Sequence, residues 1–199
     1  MTTNNFPSTT LGSIVNVTGI VGLLALILII LFFTIGQPFG TLNDIAIGLA
    51  AISSGVLALM SYIQRGSSSP LSLIALILAL IGALVVVIGS VLVVSGKAGW
   101  YLAGLYMAAG NALIGVWLLE VNFSAQTNNS WPQGLVTFGL IVGFLMILGL
   151  FTVPGIFKRI DSWNAAPWYV NYIGQAGALG WLVLYPIWCI LVGRSLPLK

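Results

Sequence analysis

The sequence predicts an all-α, polytopic transmembrane bundle of six helices joined by short loops. Three observations predict it. Of 199 residues, 59% are hydrophobic and 5% charged, whereas soluble domains carry about 25% charged residues. The six Lys and Arg and three acidic residues are too few to solvate a 21.0 kDa body, and the mean hydropathy is +1.13. The apolar residues also gather into runs close to the ~20 residues a helix needs to cross ~30 Å of hydrocarbon.

Those runs form one transmembrane domain with helices over 11–36, 43–64, 71–94, 98–119, 134–157 and 168–193. Breaker chemistry separates each from the next. Gln37-Pro38-Phe39-Gly40 closes the first span, and Arg65-Gly66-Ser67-Ser68-Ser69-Pro70 divides the second from the third. Ser95-Gly96-Lys97 makes a tight turn, 122–133 is the longest polar loop, and 158–167 joins the last two spans. Thr41-Leu42-Asn43-Asp44 has the spacing of a capping box that would open the second helix. Pro186 should kink the sixth.

Composition excludes much chemistry. There is no histidine, hence no usual haem or pigment ligand and no usual general base. Cys189 is the single cysteine, so no intrachain disulfide or thiolate cluster can form. Asp44, Glu120 and Asp161 are the only acids and lie far apart, which argues against a carboxylate-bridged metal. Lys97, Lys158 and Lys199 fall in breaks or the tail, which argues against a buried Schiff base. No metal or cofactor is expected, and a non-enzymatic protein is. A net charge of +3, scattered along the chain, argues against nucleic acid.

The polar residues within the spans are therefore the candidate sites. Asn111 sits near the middle of the fourth helix. Asn171 and Gln175, an i, i+4 pair, share one face of the sixth, with Tyr172 nearby. These residues read either as ligand contacts, with Asn111 as a cross-helix partner of the pair, or as interhelical hydrogen bonds. Glu120 is expected at the membrane interface and Asp161 in a solvated charge group beside Lys158. Trp100 and Trp117 stand about 25 Å apart along a helix, and Trp168/Tyr169 and Trp188 about 29 Å. That spacing suits two headgroup belts, or else an aromatic pocket. Trp181 and Tyr185 lie deeper, where belts do not explain them. Gly48, Ala51, Gly55 and Ala58, and likewise Gly104, Ala108, Asn111 and Gly115, form stripes suited to close helix packing.

The apolar run after MTTNNFPSTT is too long for a signal-peptide core, so the first helix is expected to be retained. No lipidation motif is present. Arg65, Arg194 and Lys199 balance Lys97, Lys158 and Arg159 across the membrane. The compact segment around Trp163, Pro167 and Trp168 inclines the orientation toward cytoplasmic termini.

Three stretches, Gly36-Gln37-Pro38-Phe39-Gly40-Thr41-Leu42-Asn43-Asp44, Ala166-Pro167-Trp168-Tyr169-Val170 and Tyr185-Pro186-Ile187-Trp188-Cys189-Ile190-Leu191-Val192-Gly193-Arg194, resemble a group of small six-helix bacterial integral membrane proteins of unknown function. The resemblance implies six helices and the bacterial inner membrane, and no catalytic or binding residue. The expected function is an accessory or scaffold subunit of a larger membrane assembly, with the lipid bilayer and other membrane subunits or further copies of the chain as partners. The alternatives are a small transporter or channel for a neutral or apolar solute, or a binder of a quinone, carotenoid or lipid.

Overall fold

The computed structural model describes residues 8–66 and 69–195. Most of the N-terminal decapeptide, part of the second polar break and Lys199 lie outside the described residues. Six long helices follow in order: α1 (Ser8–Ile35), α2 (Phe39–Arg65), α3 (Pro70–Val94), α4 (Trp100–Thr127), α5 (Gln133–Phe157) and α6 (Trp168–Ser195). Each is long and apolar enough to span a membrane, and no strand occurs among the described residues. Consecutive helices pack side by side, and α6 returns to α1 as well as to α5. In its most apolar stretch α4 is 67% buried, against 28% for α1. The central helix is thus the one studded with Ala103, Ala108, Ala109, Gly110, Ala112 and Gly115, whose small side chains admit neighbours on several sides.

The chain reverses where the backbone can turn left-handed. Gly36 (φ 102°) ends α1 and Gly96 (φ 68°) follows α3, conformations that cost glycine little and other residues more. The two spans with an interior proline are irregular just before it. In α5 the helix tightens to 3₁₀ geometry over Leu148–Thr152, ahead of Pro154. In α6 it widens to a π-helical turn over Leu179–Leu184, ahead of Pro186. A proline donates no N–H, so the helix re-spaces its hydrogen bonds at that level. Where a kink is expected at Pro186, the irregularity observed is this π-helical turn. The proline ring seats in a notch on α1, where a Cβ on Gly22 would come within 2.5 Å of Pro186 Cγ.

Small residues make the other crossings. Gly82 of α3 faces Gly110 of α4 so closely that a Cβ on either would stand 2.5 Å from the carbonyl oxygen of the other. Gly48 of α2 meets Ser90 of α3, whose hydroxyl donates to the Asp44 carbonyl at 2.7 Å. Gly139 and Gly143 of α5 meet Asn122 and Leu119 of α4.

Several local expectations are corrected. The second helix starts at Phe39, because the Pro38 carbonyl already accepts the Leu42 N–H at 3.1 Å. No side-chain cap forms there: the Thr41 hydroxyl donates to Gln37 Oε1 at 3.3 Å, and Asp44 lies in the second turn, 5% exposed. The fourth helix runs two turns past Glu120, so Asn122 is a buried helical residue rather than a loop residue. Its Nδ2 donates to the Leu118 carbonyl at 2.8 Å. Trp100 and Trp168 are exposed, as belt residues would be, whereas Trp117 and Trp188 are each 1% exposed and belong to the core. Trp188 stacks on Tyr185 (centroids 6.2 Å apart, planes at 14°) and meets Trp131 edge-on at 5.8 Å. Asp161 is exposed but engaged, accepting the N–H groups of Gly99 (2.7 Å) and Leu102 (3.0 Å). A carboxylate from the α5–α6 connection thereby caps the N-terminus of α4 and complements its dipole.

Candidate functional site

Because consecutive helices alternate in direction, one end of the bundle gathers the end of α1, the start of α2, the start of α4, the end of α5 and the start of α6. A cavity of about 120 Å³ lies between them. Ile29, Asp44, Trp100, Thr152, Gln175 and Trp181 are among its lining residues, one or more from each of the five helices. The volume is comparable with the ~150 Å³ of an apolar cavity that holds a benzene ring. Space is available at Gly104, where an added Cβ would meet nothing within 4 Å. That residue belongs to the stripe read as a packing surface, and at this position the stripe faces the cavity.

The lining is mostly apolar and aromatic, with a few convergent polar groups. Asn43 is 2% exposed, and its Nδ2 donates to Asp44 Oδ1 at 3.4 Å while its Oδ1 has no hydrogen-bond partner among the described residues. Trp181 Nε1 is likewise buried without a partner there. An unpaired polar atom in an apolar interior costs ~1–3 kcal/mol. Trp117 Nε1, Asn122 Oδ1 and Trp188 Nε1 are also buried without a partner among the described residues, but Asn43 Oδ1 and Trp181 Nε1 are the two that border the large cavity, where a bound group could reach them. The Thr152 hydroxyl is committed to the carbonyls of Gly149 (2.6 Å) and Leu105 (3.1 Å), fixing α5 against α4 at the cavity wall.

A smaller cavity of about 20 Å³ lies deeper, among Thr18, Ser54, Asn111, Tyr185 and Pro186. It shares Ile47, Trp181 and Leu182 with the first, so the π-helical turn of α6 forms the partition. Beyond it the Tyr185 hydroxyl donates to Ser54 Oγ at 3.0 Å, and the Tyr185–Trp188–Trp131 aromatics fill the bundle toward its other end.

The residues singled out by sequence fall into three groups. Gln175 lines the large cavity and is exposed, and Trp181 lines both cavities. Asn111 and Tyr185 line the small one, Asn111 donating to its own helix at the Met107 carbonyl (2.9 Å). Asn171 and Tyr172 line neither. Asn171 is buried as an interhelical fastener: Oδ1 accepts from the Tyr101 hydroxyl at 2.6 Å, and Nδ2 donates to the Trp163 carbonyl at 3.0 Å. Tyr172 is 68% exposed and lies edge-on to Trp163. Asn111, Asn171 and Gln175 line no common space; of the two readings given to these amides, Asn171 takes the interhelical hydrogen bond. Sequence reading passed over Asn43, Gly104 and the depth of Asp44. Pro38, at the head of the second helix, is the signal that could have moved Asn43 and Asp44 from the cap into the span; none in the sequence separates Gly104 from the packing glycines.

No known protein family, curated protein or solved structure matches this chain.

Proposed function

We propose that the chain is a non-enzymatic integral protein of the bacterial inner membrane, with both termini cytoplasmic, that binds a small solute in the larger cavity as a transporter or carrier. One observation carries this reading: a ring-sized cavity near one end of the bundle whose lining includes two buried polar atoms, Asn43 Oδ1 and Trp181 Nε1, with no partner among the described residues. Ligand sites are concave and mainly apolar, with a few placed polar groups. A plug of Tyr185, Trp188 and Trp131 on the far side and an irregular helix at the partition are features a carrier would use. The transport reading thus moves ahead of the scaffold reading suggested by composition.

Gly104→Leu tests it. The Cβ of the new side chain meets nothing within 4 Å and the remaining carbons project into the cavity that Gly104 lines, while leucine in place of glycine favours the helix by ~1 kcal/mol. Titration calorimetry on the protein in lipid nanodiscs, with benzylamine, benzyl alcohol and benzoate as probes, is expected to show saturable binding of at least one. Gly104→Leu should abolish it without lowering the melting temperature. Absence of binding by every probe, or binding untouched by Gly104→Leu, would sink the reading.

A second reading, an accessory subunit of a larger assembly, is supported by two shallow apolar grooves along the outer seam of α2 and α3. They measure about 360 Å³ and 310 Å³ and lie beside Gly55 and Gly48. A neighbouring transmembrane helix would seat there through small residues. Extraction in mild detergent should then bring down stoichiometric partners, and a lone monodisperse 21.0 kDa species would count against it.

A further inference from the structure

Asp44 poses an electrostatic problem that solute binding alone does not address. It is 5% exposed in the second turn of α2, and its carboxylate has a single hydrogen-bond partner among the described residues, the long contact from Asn43 Nδ2 at 3.4 Å. A carboxylate within the apolar layer is costly unless a positive group or several donors compensate it. Neither is supplied from within. No Lys or Arg lines the cavity, and the ion pair found among the described residues, Arg65–Glu120, is at the opposite end of the bundle. Lys97, Lys158 and Arg159 lie at the same end as the cavity but in the exposed connections.

The remaining lining has a matching character. Asn43 Oδ1 is a second buried acceptor beside the carboxylate. The aromatic groups Trp100, Tyr101 and Trp181 also line the space. Asp44 and Asn43 Oδ1 make a pair of neighbouring acceptors, which suits an ammonium because it only donates, and aromatic faces attract cations most strongly where water is excluded; the Trp181 N–H is the unpaired donor in the same lining. Ile29, Ile47 and Leu105 leave room for an apolar body.

We propose that the cavity is selective for a ring-sized organic ammonium, with Asp44 as its counter-ion, Asn43 Oδ1 as a second acceptor and the aromatic wall around the charged head. This rests on the solute-binding reading and departs from the neutral or apolar solute that composition suggested. It makes Asp44, rather than the amides of Asn111, Asn171 and Gln175, the principal polar contact of the solute.

The test compares benzylamine, protonated at pH 7, with benzyl alcohol, its neutral counterpart of the same size, and with benzoate, by calorimetry in nanodiscs. Wild-type protein should bind benzylammonium at least about tenfold more tightly than benzyl alcohol, the equivalent of one buried charge contact, and should not bind benzoate. Asp44→Asn, which keeps the shape and removes the charge, should bring the first two affinities together. If wild-type protein binds the alcohol as well as the ammonium, the proposal is overturned while the solute-binding reading stands, and that comparison needs no variant to fold. A folded Asp44→Asn protein that keeps the preference overturns it too. If no probe binds, both fail.

Discussion

Gly110→Ala is expected to be among the most damaging single-carbon additions to this bundle, lowering its stability by about 2–3 kcal/mol. The added Cβ would stand 2.5 Å from the Gly82 carbonyl oxygen, 2.8 Å from the Val86 amide nitrogen and 2.7 Å from Val86 Cγ2. Two of these are backbone atoms of α3, which cannot swing aside as a side-chain tip can. Relief requires the helices to move apart along their shared seam, where Ala79, Gly82 and Val86 meet Gly110 and Ile114. Within a bilayer that seam has no hydrophobic drive to fall back on, since lipid tails are as apolar as the partner helix. Loss of close packing is therefore loss of most of the association energy. Alanine's better helix propensity returns ~1 kcal/mol, which the figure includes. Gly104→Ala is the control: the same helix, the same chemical change, and nothing within 4 Å of the new methyl. Equilibrium unfolding in mixed micelles should place Gly110→Ala well below wild type and Gly104→Ala at or above it. Coincident curves for the two variants would show that the α3–α4 seam tolerates separation. Gly82→Ala attacks the same seam from the other side, so its effect should not add to that of Gly110→Ala.

The contrast between these two glycines also shows what the sequence made legible. Hydropathy and spacing give six spans and a small-residue face on nearly every helix, because an apolar run near 20 residues has few other uses. They do not say whether a small residue marks a crossing or a hollow: Gly110 and Gly104 belong to the same helix and serve opposite purposes. Helix ends were the weaker part, with two errors, one of which hid the acid of the candidate site. Reading Thr41–Asp44 as a capping box placed Asp44 at the surface, whereas Pro38 begins the helix and carries that acid inward. Reading Glu120 as a terminus placed Asn122 in a loop, although it is fully buried against Gly139. Both mistakes came from treating a polar side chain as the end of a span. The tryptophan spacing misled for a related reason. A separation along one helix fits two belts or one belt and one core contact equally well, and Trp117 and Trp188 took the core. Contacts between distant residues were out of reach altogether. Tyr101 and Asn171 are 70 positions apart, and Gly99 and Asp161 are 62 apart. Such pairs exist only once α4 has been laid beside α6 and the loop that precedes it.

Arg65 and Glu120, 55 positions apart, are such a pair, and here the expected effects are unequal. Arg65 closes α2, and its Nη1 and Nη2 donate to the two carboxylate oxygens of Glu120 on α4, each at 2.9 Å. Ser72, near the start of α3, donates to Glu120 Oε1 at 2.6 Å. Three helices are thereby tied at one end through one carboxylate. The Glu120 side chain is 9% exposed and that of Arg65 is 25%, so the members face different futures once separated. Arg65→Ala leaves a nearly buried carboxylate that still accepts from Ser72 but has lost its counter-charge, and is expected to cost about 3 kcal/mol, the lower end of the range for breaking a buried pair. Glu120→Leu leaves a long, partly exposed guanidinium that still donates to the Ser61 carbonyl and can reach water; about 1–2 kcal/mol is expected there. Combining Arg65→Leu with Glu120→Leu removes both charges and should be less damaging than Arg65→Ala by itself, because two apolar groups need no compensation at this depth. Unfolding of the three variants in one detergent system gives the ordering directly. If Glu120→Leu proves the costlier single change, or the double change the worst of the three, the carboxylate is not the buried member. The clamp would then owe its strength to the arginine's packing and not to the charge it neutralises.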